Sequence, residues 1–404
     1  MSEMSIMVER RVGIWFIGAF GGVASTTALG IAALARGLVP STGLVTALPR
    51  FAGAELDNFS GFVIGGHDIR QTSLLRSVAE LHARSGVFTE SLLRDCGTQL
   101  DEWSANVRPG ILYHPDTITT SMADLPDICR AASPREAIER IQVDLRTFQK
   151  DQSLDQLIVL NAASTEPPIV PDERHATLAE LNTLLDDPKP GTLPSSTLSA
   201  LAALDAGYPY LNLTPSCGAT LPALEELALA RRVPHAGQDL KTGETLLKSV
   251  LAPMFALRNL KVLSWVGHNI LGNRDGLVLN DPHHKASKVR SKDALLAELL
   301  GYRPQSHVSI EYIESLDDWK TAWDHVHFEG FLGTKMTLQL TWQGCDSVLA
   351  APLVIDLIRL LARAQRRQEK GAVTALASFF KSPLGVGDHD FRRQFALLER
   401  YLQG

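Results

Sequence analysis

The feature that most constrains this chain is a stretch of 24 residues without a charged side chain, from Val12 to Ala35. Hydropathy alone allows a signal peptide or a membrane span here. Five glycines and a central Ser-Thr-Thr triplet interrupt the apolar core that both membrane interpretations need. We therefore predict a buried strand over Val12–Ile17, a tight turn over Gly18–Ala24 and a helix over Ser25–Ala35.

A strand, a glycine turn and a helix in this order are typical of the first unit of a dinucleotide-binding domain. The unpaired N–H groups at the start of a helix attract a pyrophosphate, and glycines let the phosphates approach the backbone. The turn reads G-A-F-G-G-V-A instead of G-x-G-x-x-G, and glycine-rich turns also occur for packing reasons. The turn alone therefore indicates dinucleotide binding without requiring it.

The acidic residue that binds the ribose in such units is not at its usual place. It is expected about 20 positions after the glycines, but nothing acidic occurs between Arg11 and Glu55. The next candidate is Asp68, which follows the apolar run Phe62–Ile64. The structural alternative for Asp68 is a helix N-cap, with Gln71 as its capping-box partner.

Length and composition limit the remaining possibilities. With 404 residues, 45% hydrophobic and 21% charged, the chain can form two domains or one domain with a large insertion, and it is not a disordered protein. The net charge of −6 argues against nucleic acid or an anionic membrane as a partner, since both require a basic surface. The four cysteines form no C-x-x-C pair, so we expect no zinc site or disulfide framework and a cytoplasmic location.

Polar loops follow two further apolar runs. Leu157–Leu160 leads into N-A-A-S-T-E-P-P, and Tyr210–Leu213 leads into T-P-S-C-G. Small polar residues at the carboxyl ends of parallel strands are what a cofactor crevice needs. Each loop alone could be an ordinary surface loop, but three such loops in an alternating chain favour an α/β fold with a parallel sheet.

The middle of the chain combines cations with glycine turns. Its segments read H-A-G-Q-D-L-K-T-G-E-T-L-L-K, G-H-N-I-L-G-N-R-D-G and K-A-S-K-V-R-S-K. Lys288 and Lys292 are four positions apart, so on a helix they share one face. They could bind a phosphate or stabilise an oxyanion, although a solvated basic helix face is the plainer alternative. No G-x-S-x-G, H-E-x-x-H or Walker A sequence is present.

Together these segments resemble the inositol-phosphate synthase family, NAD-dependent cyclases that convert glucose 6-phosphate to myo-inositol phosphate. Gly267–Gly276 is similar to the family's S-Y-N-H-L-G-N-N-D-G, and Gly237–Thr245 to its G-D-D-x-K-S-G-Q-T. Leu160–Glu166, Asn212–Pro222 and Gly18–Thr26 resemble L-W-T-A-N-T-E, N-G-S-P-Q-N-T-F-V-P and the family's glycine loop more distantly. The similarity runs from about residue 12 to about residue 385.

The resemblance implies an α/β fold with a discontinuous Rossmann-type NAD-binding domain, formed by residues 1–245 and 350–404. Residues 246–349 are then an inserted α+β catalytic and oligomerisation domain. The alternation of apolar residues in Val308–Tyr312 and Met336–Trp342 predicts strands there. The family expectation is a homo-oligomer, specifically a tetramer, with glucose 6-phosphate or a similar sugar phosphate as substrate.

The resemblance also implies the site residues. The charged residues that align with the family's catalytic lysines and aspartate are Lys288, Lys292, Lys320, Asp346 and Lys381. The residues expected to bind NAD are Gly18, Phe20, Gly21, Gly22, Val23, Asp68, Ala162, Ala163, Ser164, Thr214, Asp239 and Asp275. The residues expected to bind the substrate phosphate are Thr242, Gly243, Asn269, Leu271, Asn273, Lys292 and Lys320. No metal ligand is expected.

The implied reaction oxidises C5 of the open-chain sugar, enolises C6, closes C6 onto the C1 aldehyde and reduces C5 again. Because each intermediate carries negative charge on oxygen, Lys288 and Lys381 are the candidates for stabilising that charge and moving protons, and Asp346 for orienting a lysine. A lysine that acts as a base needs a lowered pKa, which neighbouring lysines in a dry site can provide.

The chain departs from the family pattern at several positions. Glu244 replaces a glutamine and would put a carboxylate near the phosphate, whereas Arg274 replaces an asparagine and could add a cation. Phe20 and Ala24 replace glycines of the cofactor loop, and Ile270 replaces a histidine. The alternatives are therefore an NAD-dependent dehydrogenase or epimerase of another phosphorylated sugar, a cyclase with a different inositol-type product, or a non-catalytic relative that senses NAD or sugar phosphate.

Overall fold

The computed structural model describes residues 10–115, 117–125, 128–273, 276 and 295–404. Four residues singled out above lie outside the described residues: Arg274, Asp275, Lys288 and Lys292. The predictions that concern them, including the shared helix face of the two lysines, stay predictions.

The helices and strands alternate through most of the described chain. The strands are β1 (Val12–Ile17), β2 (Phe62–Asp68), β3 (Val107–Pro109), β4 (Ile111–Leu112), β5 (Cys129–Arg130), β6 (Gln156–Asn161), β7 (Tyr210–Asn212), β8 (Pro234–Ala236), β9 (Lys261–Leu271), β10 (Gln305–Tyr312), β11 (Trp319–Glu329), β12 (Lys335–Cys345) and β13 (Gly371–Ala372). The helices are α1 (Gly22–Ala35), α2 (Leu74–Ser85), α3 (Glu90–Ser104), α4 (Thr117–Met122), α5 (Pro134–Asp151), α6 (Leu178–Asp186), α7 (Ser195–Asp205), α8 (Pro222–Arg231), α9 (Glu244–Leu257), α10 (Asp346–Arg366) and α11 (Phe391–Gln403).

The larger sheet is parallel, with the strand order β13-β8-β7-β6-β1-β2-β3 among the described residues. The chain builds outward from β1 to β2 and β3, and then returns to the other side of β1 with β6. A crevice for a ligand forms where the strand order reverses, at the carboxyl ends of the two strands. The predicted α/β class is confirmed, and the crevice lies at the ends of β1 and β6.

The uncharged stretch forms the centre of this sheet. The predicted strand Val12–Ile17 is confirmed as β1. The predicted helix start at Ser25 is wrong, because α1 begins at Gly22. A Cβ on Gly22 would lie 2.5 Å from Ser347 Oγ, so this glycine belongs to the helix and permits close packing on α10.

The absence of charge in α1 reflects burial on several sides. The helix packs against α2, α3 and α10, and most of its side chains are inaccessible to water. A helix that is apolar all round is the expected result of such burial. Within the described residues, no helix combines the length and apolar character required to cross a membrane.

The second sheet has the order β10-β9-β11-β12 within the described part of the chain. β9 and β10 are parallel, and β11 is antiparallel to both β9 and β12. The strands predicted around Val308–Tyr312 and Met336–Trp342 are confirmed as parts of β10 and β12. Phe255 of α9, Trp265 and Val326 belong to a hydrophobic cluster of this sheet that is separate from the core around β1.

Candidate functional site

A cavity of about 920 Å³ lies at the carboxyl ends of the parallel strands and extends to the second sheet. This volume is at the upper end of the roughly 300–1,000 Å³ that is typical of small-molecule sites. The predicted site residues that line it are Gly18, Phe20, Gly21, Gly22, Val23, Asp68, Ala162, Ala163, Ser164, Thr214, Asp239, Thr242, Asn273, Lys320, Asp346 and Lys381. The fold thus brings predicted cofactor, phosphate and catalytic residues to one cavity.

The glycine turn after β1 forms one wall of the cavity. Gly18 has a φ of +87°, and a Cβ there would lie 3.0 Å from Cα of Ala163, so this position requires glycine. The Gly18 N–H donates to the His67 carbonyl at 2.9 Å, which ties the turn to the end of β2. α1 begins directly after Gly21, so the turn presents a helix N-terminus at the cavity, as a pyrophosphate site requires.

Asp68 stabilises the same turn. Its Oδ2 accepts a hydrogen bond from the Phe20 N–H at 2.7 Å, and its Oδ1 accepts from the N–H groups of Ile69 at 2.8 Å and Arg70 at 2.9 Å. The helix N-cap alternative is wrong, because α2 starts at Leu74 and is capped by Ser73. Asp68 instead ends β2 at the cavity, and a carboxylate oxygen that accepts one bond can still accept another from a ribose hydroxyl.

Two buried asparagines, which we did not predict as site residues, hold the loops after β6 and β7. Asn161 Nδ2 donates to Asn212 Oδ1 and to Thr214 Oγ1, each at 3.1 Å, and Thr214 Oγ1 donates to Asn212 Oδ1 at 3.0 Å. This network fixes the start of the loop that contains Ala162, and it fixes Thr214 directly. The sequence signal was an asparagine directly after the first apolar run and another one residue before the end of the second.

Lys381 forms an ion pair with Asp239 at the cavity wall. The distance from Lys381 Nζ to Asp239 Oδ1 is 2.7 Å. Backbone hydrogen bonds hold the pair in place, since the Lys381 N–H donates to the Asp239 carbonyl at 2.7 Å and the Lys241 N–H to the Phe379 carbonyl at 2.8 Å. The sequence analysis assigned Asp239 to NAD binding, and the ion pair gives it a position next to a predicted catalytic lysine.

A second charged group lies where α10 begins. Lys320 Nζ is 3.5 Å from Asp346 Oδ1. Asp318 was not predicted, although it lies only two positions before Lys320 in the sequence. It is buried, accepts hydrogen bonds from the Ser347 N–H at 2.8 Å and from Asn273 Nδ2 at 3.0 Å, and so links the predicted phosphate residue Asn273 to α10. Burial, reinforced by the charge of Asp346, raises the pKa of Asp318.

Three predicted phosphate-binding residues lie outside the lining that the described residues form: Gly243, Asn269 and Leu271. Gly243 is the N-cap of α9, and Leu271 is buried at the end of β9. Asn269 is also buried, and its Nδ2 donates to Glu244 Oε2 at 2.5 Å. The motif that contains Asn269 and Leu271 does not show that both are buried on β9 and lie outside the described lining.

Glu244, the departure from the family pattern, is buried with a cation. Its Oε1 lies 2.6 Å from Lys248 Nζ, one turn further along α9, and both side chains are almost inaccessible. The carboxylate expected near the phosphate is therefore paired with Lys248. The i, i+4 spacing of Glu244 and Lys248 in the sequence was the signal for this pair.

In the described part of the chain, no group of three or more histidine, cysteine, aspartate or glutamate side chains is arranged to hold a metal ion.

Comparisons with known proteins agree with this architecture. Residues 12–403 match the family model described as myo-inositol-1-phosphate synthase, whose label also describes an NAD-binding domain. Inositol-3-phosphate synthase 1 of Bacteroides thetaiotaomicron is 31% identical over 95% of this chain and 91% of its own length. Inositol-3-phosphate synthase 1 of Oryza sativa is also 31% identical, over 78% of this chain, but the match spans only 62% of that protein. The crystal structure of an inositol-3-phosphate synthase from Caenorhabditis elegans has a TM-score of 0.85 and 25% identity, covering 98% of this chain and 86% of that one.

Proposed function

The chain belongs to the myo-inositol-1-phosphate synthase family, and from this membership we propose that it is an NAD-dependent enzyme that cyclises glucose 6-phosphate to myo-inositol phosphate. The observation that carries the proposal is the shared cavity. A dinucleotide-type glycine turn and the charged residues Lys320, Asp346 and Lys381 line the same space, so a cofactor and an anionic sugar can meet there.

The residues at the crevice fit NAD. The turn at Gly18, where a Cβ would contact Ala163, leads directly to the helix N-terminus at Gly22, whose N–H groups can hold a pyrophosphate. Residues 18–23 would hold the pyrophosphate and Asp68 a ribose, and Ala162, Ala163, Ser164 and Thr214 would contact the cofactor from other parts of the cavity lining. When bound, NAD would supply reversible hydride chemistry for the sugar, so that oxidation and reduction cancel within one turnover.

Lys381 is proposed to act on the protons and the developing charge of the sugar. Closure of the ring breaks a C6–H bond, forms the C6–C1 bond and protonates the former aldehyde oxygen, so one proton leaves carbon and one reaches oxygen. An ammonium or amine held by Asp239 can stabilise the oxyanion and transfer such a proton. Lys288 is proposed for the same task from its motif, and Asp346 orients Lys320.

The substrate phosphate is proposed to bind at the second-sheet end of the cavity. Thr242, Asn273 and Lys320 line that end, and Lys320 provides a cation. Gly243, Asn269, Leu271 and Lys292 complete the set that the motifs imply. Asn269, buried against Glu244, would contribute by holding β9 in place.

The division into domains, the assembly and the location are further parts of the proposal. Residues 1–245 and 350–404 are proposed as the NAD-binding domain, and residues 246–349 as the inserted domain. The two separate hydrophobic clusters support this division. A homotetramer in the cytoplasm is proposed from the family resemblance.

The redox balance tests the reaction type. The purified protein is incubated with NAD and glucose 6-phosphate, while NADH absorbance and loss of substrate are followed together. A cyclase consumes substrate with almost no NADH, whereas stoichiometric NADH would contradict cyclisation and indicate a dehydrogenase. Lys381→Ala should abolish turnover while NAD still binds, because the glycine turn and Asp68, which would hold the cofactor, are not altered. Turnover at the unaltered rate would contradict its role.

A further inference from the structure

Lys241 is a buried lysine that the proposed reaction does not use. Its side chain is 2% exposed, and its Nζ donates to Gln394 Oε1 of α11 at 2.5 Å. Lysine is almost never fully buried without an ionic partner, because removing an ammonium from water is costly. Within the described part of the chain, no carboxylate forms an ion pair with it, and its partner is a neutral amide.

Lys241 lies on a segment that is hydrogen-bonded to the segment of the proposed catalytic lysine. Its neighbours Leu240 and Thr242 line the cavity, but Lys241 is not part of the described lining. Leu240 and Phe380 pair as an isolated bridge, which brings the segments of Lys241 and Lys381 together. Burial first, and then repulsion by Lys381, lower the pKa of Lys241 to about 8.

The acidic groups around Lys241 are engaged elsewhere. Asp239 pairs with Lys381. Asp388 and Asp390 both pair with Arg393 of α11. On the remaining side, Glu298, in the helical residues 295–300, lies 3.5 Å from His389. The pKa of His389 is lowered by burial and, less strongly, by the charge of Lys241.

The ring of Phe391, whose centroid is 5.9 Å from Lys241 Nζ, is an additional weak partner.

We propose that Lys241 is a positioning residue that acts through Lys381, by holding a second positive charge behind the Asp239–Lys381 ion pair. The inference rests on the proposed function, since it assigns Lys241 a role in the same reaction. Asp239 alone would favour the charged form of Lys381 and make it a poor base. Repulsion between two ammonium groups is mutual, so the charge on Lys241 opposes that effect and lets Lys381 exchange a proton nearer to neutral pH.

The test is the pH dependence of kcat in three matched variants of the full chain. Lys241→Met removes the charge, Lys241→Arg keeps it, and Gln394→Glu keeps Lys241 but provides a carboxylate that neutralises it. Removing or neutralising the charge raises the proton affinity of Lys381. The limb of the pH profile that Lys381 sets therefore moves to higher pH by about one unit in Lys241→Met and Gln394→Glu. On the acid side of a limb, one unit corresponds to about a tenfold loss of rate at fixed pH.

Lys241→Arg should keep both limbs where they are, even if its maximal rate is lower. Gln394→Met, which loses the hydrogen bond without adding a charge, should do the same. If Lys241→Met does not fold, Gln394→Glu still tests whether the charge of Lys241 affects Lys381, because this variant retains the lysine. The inference would be overturned if the pH profile of kcat did not shift in either Lys241→Met or Gln394→Glu. It would also be overturned if the profile of Lys241→Arg shifted as far as that of Lys241→Met. An unaltered protein that makes no inositol phosphate would instead reject the proposed function.

Discussion

Loss of the Glu244 carboxylate should destabilise the protein by an amount that the geometry predicts. Glu244 Oε1 lies 2.6 Å from Lys248 Nζ, and the two side chains are 2% and 0% exposed. Glu244→Gln retains the volume and an acceptor for Asn269, but it leaves the Lys248 ammonium buried without its countercharge. Removing one partner of a buried ion pair costs about 3–5 kcal/mol. Because the Trp265 ring, 5.8 Å from Lys248 Nζ, compensates part of this, we expect about 3 kcal/mol.

Urea unfolding of four proteins measures this free energy: the unaltered chain, Glu244→Gln, Lys248→Met and the double variant. Each single variant should lower the free energy of unfolding, whereas the double variant, which removes both charges, should recover most of the loss. The matched control is Arg140→Gln, which breaks the solvent-accessible i, i+4 pair of Glu136 and Arg140 and should leave the free energy of unfolding nearly unchanged. A loss below about 1 kcal/mol in Glu244→Gln, or additive losses in the double variant, would refute the reasoning.

Two further variants test the cofactor turn and a buried acid. Gly18→Ala should weaken NAD binding about tenfold, because it adds a Cβ 3.0 Å from Ala163 Cα at a φ of +87°. The control is Gly37→Ala, which has a φ of +65° and open space around it, and calorimetry should show an unchanged dissociation constant of NAD. Equal effects of the two variants on NAD binding would contradict the role of the turn. Burial raises the pKa of Asp356 to about 6, above its value in the unfolded chain, so the folded state takes up a proton as the pH falls through 6 and the contribution of Asp356 to stability grows down to about pH 4. The unfolding midpoint of the unaltered protein should therefore rise relative to that of Asp356→Asn between pH 7 and pH 5, and a constant difference would contradict this assignment.

The sequence predicted secondary structure better than it predicted which residues contact each other across the fold. β1 was predicted with its observed bounds. Its uncharged run of β-branched and aromatic residues lies between a charged segment and a glycine turn, and few structures other than a buried strand are compatible with such a run. The start of α1 was misplaced because Gly22 is helical for a reason that lies elsewhere in the chain, the close approach of Ser347. The local sequence around Gly22 cannot predict its contact with a helix that begins more than 300 positions later in the chain.

The candidate site shows the same limit. Most of the residues that we predicted from the motifs and that lie among the described residues line the cavity, including the glycine turn after β1 and the polar loops after β6 and β7. The pairing of Asp239 with Lys381 joins residues 142 positions apart, and the burial of Lys241 depends on Gln394 from the last helix. Such contacts are set by the topology of the sheet, so the roles of charged residues within one motif could be separated only by the three-dimensional structure.

The central claim, that the enzyme closes a carbon ring, is tested most directly by following one new bond. Glucose 6-phosphate labelled with ¹³C at both C1 and C6 is incubated with the protein and NAD, and the product is examined by ¹³C NMR. Cyclisation joins the two labelled carbons, so the account predicts a one-bond ¹³C–¹³C coupling in a phosphorylated product. Turnover of the labelled sugar to products without that coupling would contradict the account.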